Sequence, residues 1–219
     1  MSDQKNEQQE RSLSAPIEGN IDPEIKLLAA IAYGEASVQD EPEEVLGIAY
    51  AVCNRARAWG KTVSGMLKAD SHYTYAADGT NKRFNLLLSS SAVAINKSIP
   101  MRTAVNAAIN AQNEKGHDPS NGAFWWDGVD LKEKRSKNPR ISRGFKYGAQ
   151  EHNIYQMEPI LKVGIRYWQV QNTKTKKLVD SAERGRFDTV YVSTAARGQT
   201  IFWRYNPDFV KATGTKDYK

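Results

Sequence analysis

The chain has 219 residues, of which 40% are hydrophobic and 26% charged, and it carries a net charge of +6. Such a chain can bury one good core with at most a small second lobe, and its composition is ordinary for a soluble domain. No apolar stretch approaches a membrane span, the lone Cys53 excludes an internal disulfide, and His72, His117 and His152 lack ligand-like spacing, so neither a metal nor an organic cofactor is expected.

In chain order, residues 1–20 read as a disordered tail rich in Gln, Glu and Ser. They contain no apolar segment of the secretory type, so a standard secretory signal is not expected. The first helix has Asp22 placed as N-cap and Pro23 at its first position. Along it Leu28, Ile31, Ala32 and Glu35 recur at helical spacing on one face. A carboxylate is the wrong group for an apolar stripe unless it is paired or needed, or unless it simply turns to solvent at the helix end. Partial burial disfavours the charged form of a carboxyl. A Glu so placed can deliver a proton near neutral pH, as the general acid of a glycosidase must.

Asp40-Glu41-Pro42-Glu43 resembles a capping-box start. The helix that follows, about 41–59, carries Val45, Ile48, Ala49, Val52 and Ala56 on one face and stops at Gly60. Thr62 can cap a short third helix through Leu67. Residues 69–83 form a polar loop with aromatics, and helical character returns around 84–96 and 100–115. Residues 117–144 read as loop, punctuated by Pro and Gly. Strand patterns follow at 163–170, 189–192 and 200–205. The expected class is therefore α+β: a mainly helical front half, a loop-rich middle and a small antiparallel β element near the C-terminal end.

Charge divides along the same line. Residues 1–130 hold 12 Lys+Arg against 17 Asp+Glu, a net −5, whereas 131–219 hold 19 against 8, a net +11. A basic half calls for an anionic partner: nucleic acid, a membrane surface, an acidic wall polymer or an acidic protein.

Three segments carry a more specific signal: Ala32-Tyr-Gly-Glu-Ala36, Ala49-Tyr-Ala-Val-Cys-Asn-Arg55 and Asp118-Pro-Ser-Asn-Gly-Ala-Phe-Trp-Trp126. In this order, with a Thr62-Val63 turn after the second, they resemble the cell wall hydrolase family of spore-cortex-lytic enzymes. The likeness covers about residues 25–130, with a weaker echo in Ile201-Phe-Trp-Arg-Tyr205. It implies a lysozyme-like domain over 21–219, with a basic extension from about 131. It further implies cleavage of the peptidoglycan glycan strand between N-acetylmuramic acid and N-acetylglucosamine, with Glu35 as the catalytic residue of a lytic transglycosylase or muramidase.

The residues can be weighed against that chemistry. A two-carboxylate glycosidase needs a second Asp or Glu about 5–9 Å from the first. Asp40, Glu41, Glu43 and Glu44 look committed to a helix N-terminus, where negative charge is favoured, and Glu151 is the remaining alternative. The single-Glu transglycosylase route is accordingly preferred. Asn54 either donates to a sugar acetamide or braces the first helix. Arg55 reads as an ion-pair partner. Ser120, Gly122 and Ala123 lack bulk and would let backbone approach a sugar. Phe124, Trp125 and Trp126 either stack on sugar faces or plug the core, and Tyr75 is a candidate cleft residue in the polar loop.

Peptidoglycan lies outside the cytoplasm. Without a secretory signal the expected route is delivery by other machinery: an antibacterial effector of a type VI secretion apparatus, opposed by an acidic cognate immunity protein, or a phage lysin released through a pore. Two rival readings are a non-catalytic structural component of a phage or secretion machine, and a nucleic-acid-binding protein. The second uses the basic and aromatic residues interleaved in 132–143 and 191–205.

Overall fold

The computed structural model describes residues 12–74, 76–113, 116–133 and 138–219. It is an α+β fold. Six helices form the front half: α1 (Pro23–Glu35), α2 (Pro42–Ala58), α3 (Val63–Ala69), α4 (Lys82–Ser89), α5 (Ala92–Lys97) and α6 (Ile99–Gln112). A four-stranded sheet follows, in the order β1 (Trp125–Asp127), β6 (Thr200–Tyr205), β5 (Tyr191–Arg197), β2 (Phe145–Lys146). It is antiparallel except for the two-residue β2–β5 pair. A separate antiparallel ribbon pairs β3 (Gly164–Gln171) with β4 (Leu178–Phe187). Short helices α7 (Asp130–Glu133), α8 (Pro139–Arg143) and α9 (Pro207–Thr213) complete the described chain.

The helix starts follow sequence chemistry closely. Asp22 accepts from the backbone N–H groups of Glu24 (2.8 Å) and Ile25 (3.3 Å), with Pro23 at the first helical position. Thr62 caps α3 by accepting from Gly65 N. Gly60, at φ +64°, lets the chain leave α2, with its N–H bonded to Arg57 O and that of Lys61 to Ala56 O. The expected capping box at α2 does not form. Glu41 occupies the N-cap position without a side-chain cap bond, and Asp40 pairs with Arg83 instead.

Two apolar clusters result. The larger surrounds the middle of α1 and of α2, where residues 28–33 and 45–53 are buried without a break, takes in one side of α6, and reaches the sheet through Phe202 and Ala195. The smaller lies on the other side of the sheet, around Phe145, Tyr191, Trp203 and Phe209. Leu13 belongs to the first cluster and is 2% exposed. Nearby, Asn106 Nδ2 donates to Leu13 O and Ala15 O, and Ile17 exchanges hydrogen bonds with Asn96. The expected tail is therefore wrong for 12–17, which a buried leucine and side-chain-to-backbone bonds tie to α5 and α6; residues 1–11 lie outside the described residues.

Candidate active site

Glu35 ends α1, directly after the fully buried Leu28, Ile31 and Ala32. It is half-buried, on the wall of a groove of about 740 Å3. Its two oxygens are held differently. Oε1 accepts from the Thr74 hydroxyl and from Ala76 N at 2.7 Å. Among the described residues, Oε2 meets only the Trp126 indole Nε1, at 3.3 Å. Oε1 is thus occupied by backbone and hydroxyl donors, whereas Oε2 carries a single longer contact to a groove-lining indole.

The groove joins the helical half to the sheet. Besides Glu35 it is lined by Asp70, His72 and Tyr73 from the loop after α3, by Trp125, Trp126 and Asp127 of β1, and by Asp130, Arg140 and Tyr191. Strand pleating puts adjacent side chains on opposite faces. Trp126 therefore turns to Tyr73 (ring centroids 5.4 Å apart) and Glu35, while Trp125 packs on Tyr205 (4.6 Å) and Tyr191 (5.8 Å). Tyr73 donates its hydroxyl to Phe124 O at 2.8 Å, and its burial pushes the phenol far above the usual tyrosine range. Arg55, 3% exposed, stacks on the Tyr73 ring and donates to Asp70 Oδ2 and Tyr218 O, both at 2.8 Å. The expected ion-pair role of Arg55 is the one it has.

The groove's carboxylates are not equivalent. Asp70 is paired with Arg55. Glu44, 1% exposed, accepts from Ser37 Oγ and Thr200 Oγ1, both at 2.7 Å. Asp127 is held by Arg140 Nε (2.8 Å) and Asn138 Nδ2 (2.6 Å), and burial pushes its carboxyl above the usual aspartate range despite both partners. Asp130, half-buried, lines the same groove as Glu35 and makes no hydrogen bond or ion pair with another described residue.

Several sequence candidates lie elsewhere. Glu151 is exposed in a different hollow, with His117, His152 and Arg197, and does not line the Glu35 groove. Asn54 braces neither the first helix nor an open subsite: its Nδ2 donates to Asp118 Oδ2 (2.9 Å) and Ala123 O (3.3 Å). Asp118 is saturated, since Ser120 N and Oγ bond its Oδ1 and Gly122 N its Oδ2. Ser120 and Ala123 are fully buried, so they cannot touch a sugar. Gly122, at φ +77°, closes the left-handed turn begun by Asn121 at φ +52°. Phe124 is half-buried but outside the groove, whereas Trp125 lines it. Tyr75 lies outside the described residues.

The segment 118–126 therefore works as a brace. It ties α2 to β1, and β1 delivers Trp126 to Glu35. Thr74, Ala76 and Asp130 carry no signal in the sequence, and Trp126, read there as a sugar-stacking or core aromatic, is instead a direct hydrogen-bond partner of Glu35. Among the described residues no group of three or more His, Cys, Asp or Glu is arranged to hold a metal, and no helix is long and apolar enough to cross a membrane. No family model, curated protein or solved structure matches the chain.

Proposed function

We propose that this chain cleaves the glycan strand of peptidoglycan, with Glu35 as a single acid/base and the reaction closing as a lytic transglycosylase. One observation carries the reading: a half-buried Glu ends an apolar stripe, is fixed through one oxygen, and turns the other toward an aromatic-walled groove. Protonated Oε2 gives its proton to the glycosidic oxygen as the bond to the muramic acid C1 breaks. The C6 hydroxyl of the same sugar attacks C1 and returns its proton to Glu35, so an anhydro ring forms and no water is consumed. Trp125 and Trp126 offer flat apolar faces of the kind that sugar rings pack against.

The test is digestion of purified sacculi followed by mass spectrometry of the fragments. Anhydro-muramyl ends that vanish with Glu35→Gln are expected. Reducing ends would instead assign hydrolysis, and intact sacculi would refute glycan cleavage. Action in the periplasm or wall is part of the proposal. Expression with a periplasmic leader should lyse cells while cytoplasmic expression is tolerated, and equal tolerance of both would count against it.

For the nucleic-acid reading, Tyr191, Trp203 and Tyr205 of the 191–205 stretch are buried in the second apolar cluster, which speaks against base stacking on those rings.

A further inference from the structure

The β3–β4 ribbon stands apart from the four-stranded sheet. Its base is seated: Phe187 packs edge-on against Phe209 of α9 with ring centroids 5.0 Å apart, and Gly185 lies so close to Ala212 that a Cβ there would sit 3.2 Å away. Beyond the base, every residue from Ile165 to Gln171 is exposed. Half of the large apolar side chains left exposed among the described residues fall between positions 161 and 179. Trp168 is 54% exposed and Leu178 68%. Between residues 162 and 186 there are seven Lys+Arg against Asp180 and Glu183, a net +5.

The register shows how these side chains are distributed. Val170 faces Val179 across the ribbon, and the adjacent pair is Gln171 with Leu178. Adjacent pairs point to opposite faces, so apolar side chains project from both sides. An isolated two-stranded ribbon is marginal in water, and this one is wrapped in its own uncovered apolar surface. A rigid protein partner docking on one face would leave the other uncovered. A nucleic acid would use the charge and the aromatic rings but not the aliphatic side chains. A lipid headgroup layer fits both features. It surrounds what lies in it, takes Trp and Tyr at its depth, and attracts Lys and Arg when the lipids are anionic.

We infer that the β3–β4 ribbon is a peripheral docking element for an anionic phospholipid surface. Trp168, Val170, Leu178 and Val179 enter the headgroup layer, and Lys174, Lys176 and Lys177 at the turn pair with lipid phosphates. The ribbon lies along the surface, because inserting the turn end-on would carry three ammonium groups toward the acyl chains. The guanidinium of Arg184, 4.6 Å from the Trp168 ring centre, holds that indole on the ribbon. The docking does not depend on the Glu35 chemistry.

The experiment is co-sedimentation of the full chain with vesicles of equimolar phosphatidylglycerol and phosphatidylcholine, against vesicles of phosphatidylcholine alone. Binding to the anionic vesicles only, weakened by salt, is expected. It should be accompanied by a blue shift in fluorescence that is lost in Trp168→Phe, since Trp168 is the exposed tryptophan. Combined Lys174→Gln, Lys176→Gln and Lys177→Gln should weaken binding about a hundredfold, at about 1 kcal/mol per charge. Glu35→Gln should bind as well as the parent, so loss of glycan cleavage and loss of docking are read separately. Absence of anionic-vesicle binding, or binding that ignores the three lysines, would overturn the inference. So would a preference for duplex DNA, poly(glycerol phosphate) or polyglutamate over the vesicles at matched salt.

Discussion

The Trp126 indole N–H points at Oε2 of Glu35 from 3.3 Å, across 91 positions of sequence. This contact couples the first helix to the first strand and sets the direction of the one oxygen not already held by Thr74 and Ala76. It stabilises the carboxylate formed after proton donation more than the neutral acid. Trp126→Phe keeps the ring and removes the donor. A hydrogen bond to a charged group contributes about 1.5–3 kcal/mol, and this one is long. Turnover on sacculi is expected to fall about tenfold, with fragment products of unchanged type. Unchanged turnover would mean that the indole only packs.

Asp130 decides between routes. It lines the same groove as Glu35 and is without a described partner. A hydrolase of the two-carboxylate kind would depend on such a group as base or nucleophile, whereas ring closure by the sugar's own hydroxyl needs only Glu35. Asp130→Asn should therefore change the rate of fragment release by less than about tenfold and leave anhydro ends in place. A collapse of activity comparable to that of Glu35→Gln would transfer the assignment to hydrolysis.

The α-helical frame was legible because it rests on local chemistry. Asp22, Gly60 and Thr62 act where their residue types place them; the stripe residues Leu28, Ile31 and Ala32 are buried, but so are Ala29, Ala30 and Tyr33 between and beside them, so this helix is enclosed all round rather than on one face. What could not be read was everything that depends on distant pairing. The sequence of β1 reads as loop, since the three residues Trp125–Asp127, closed by Gly128, have no period of their own; only β6 across from them makes a strand. β4 carries no strand signal because its charged run Asp180–Arg186 lacks an apolar face and is held by pairing with β3 and by the seat of its base on α9. Asn54 and Asp118 illustrate the same limit at the site. Their residue types suit sugar recognition, yet they bond each other and the backbone and hydroxyl groups of 120–123. Thr74 and Ala76 reach Glu35 through a loop whose course no periodicity encodes.

Packing between the helical half and the sheet depends on a missing side chain. At Gly47 in α2 a Cβ would lie 2.6 Å from Cζ of Phe202, whose ring is fully buried. Gly47→Ala gains about 1 kcal/mol of helix propensity but overpacks a ring with nowhere to move, which costs about 1–3 kcal/mol. A net loss of about 1 kcal/mol is expected, visible as a lower midpoint in urea. Gly47→Ala combined with Phe202→Leu should recover part of it. A stabilised single variant would show that the ring shifts freely.

His152 gives the fold a predictable acid sensitivity. Its Nδ1 lies 2.9 Å from Ser193 Oγ, which also accepts from Gly148 N at 3.0 Å. Burial lowers the imidazole pKa first, and Arg197 adds to this, against opposing contributions from Glu151 and Ser193. The folded state therefore binds a proton less readily than the unfolded chain, whose His titrates near pH 6.5. Between that value and the lower folded one, the unfolded state holds more protons, so stability rises with pH and is lost on acidification. Thermal midpoints should fall from pH 7 to pH 5 in the parent. The same decrease should be smaller in His152→Gln, which cannot take up a proton. An equal decrease in both would assign the acid sensitivity to carboxylates instead.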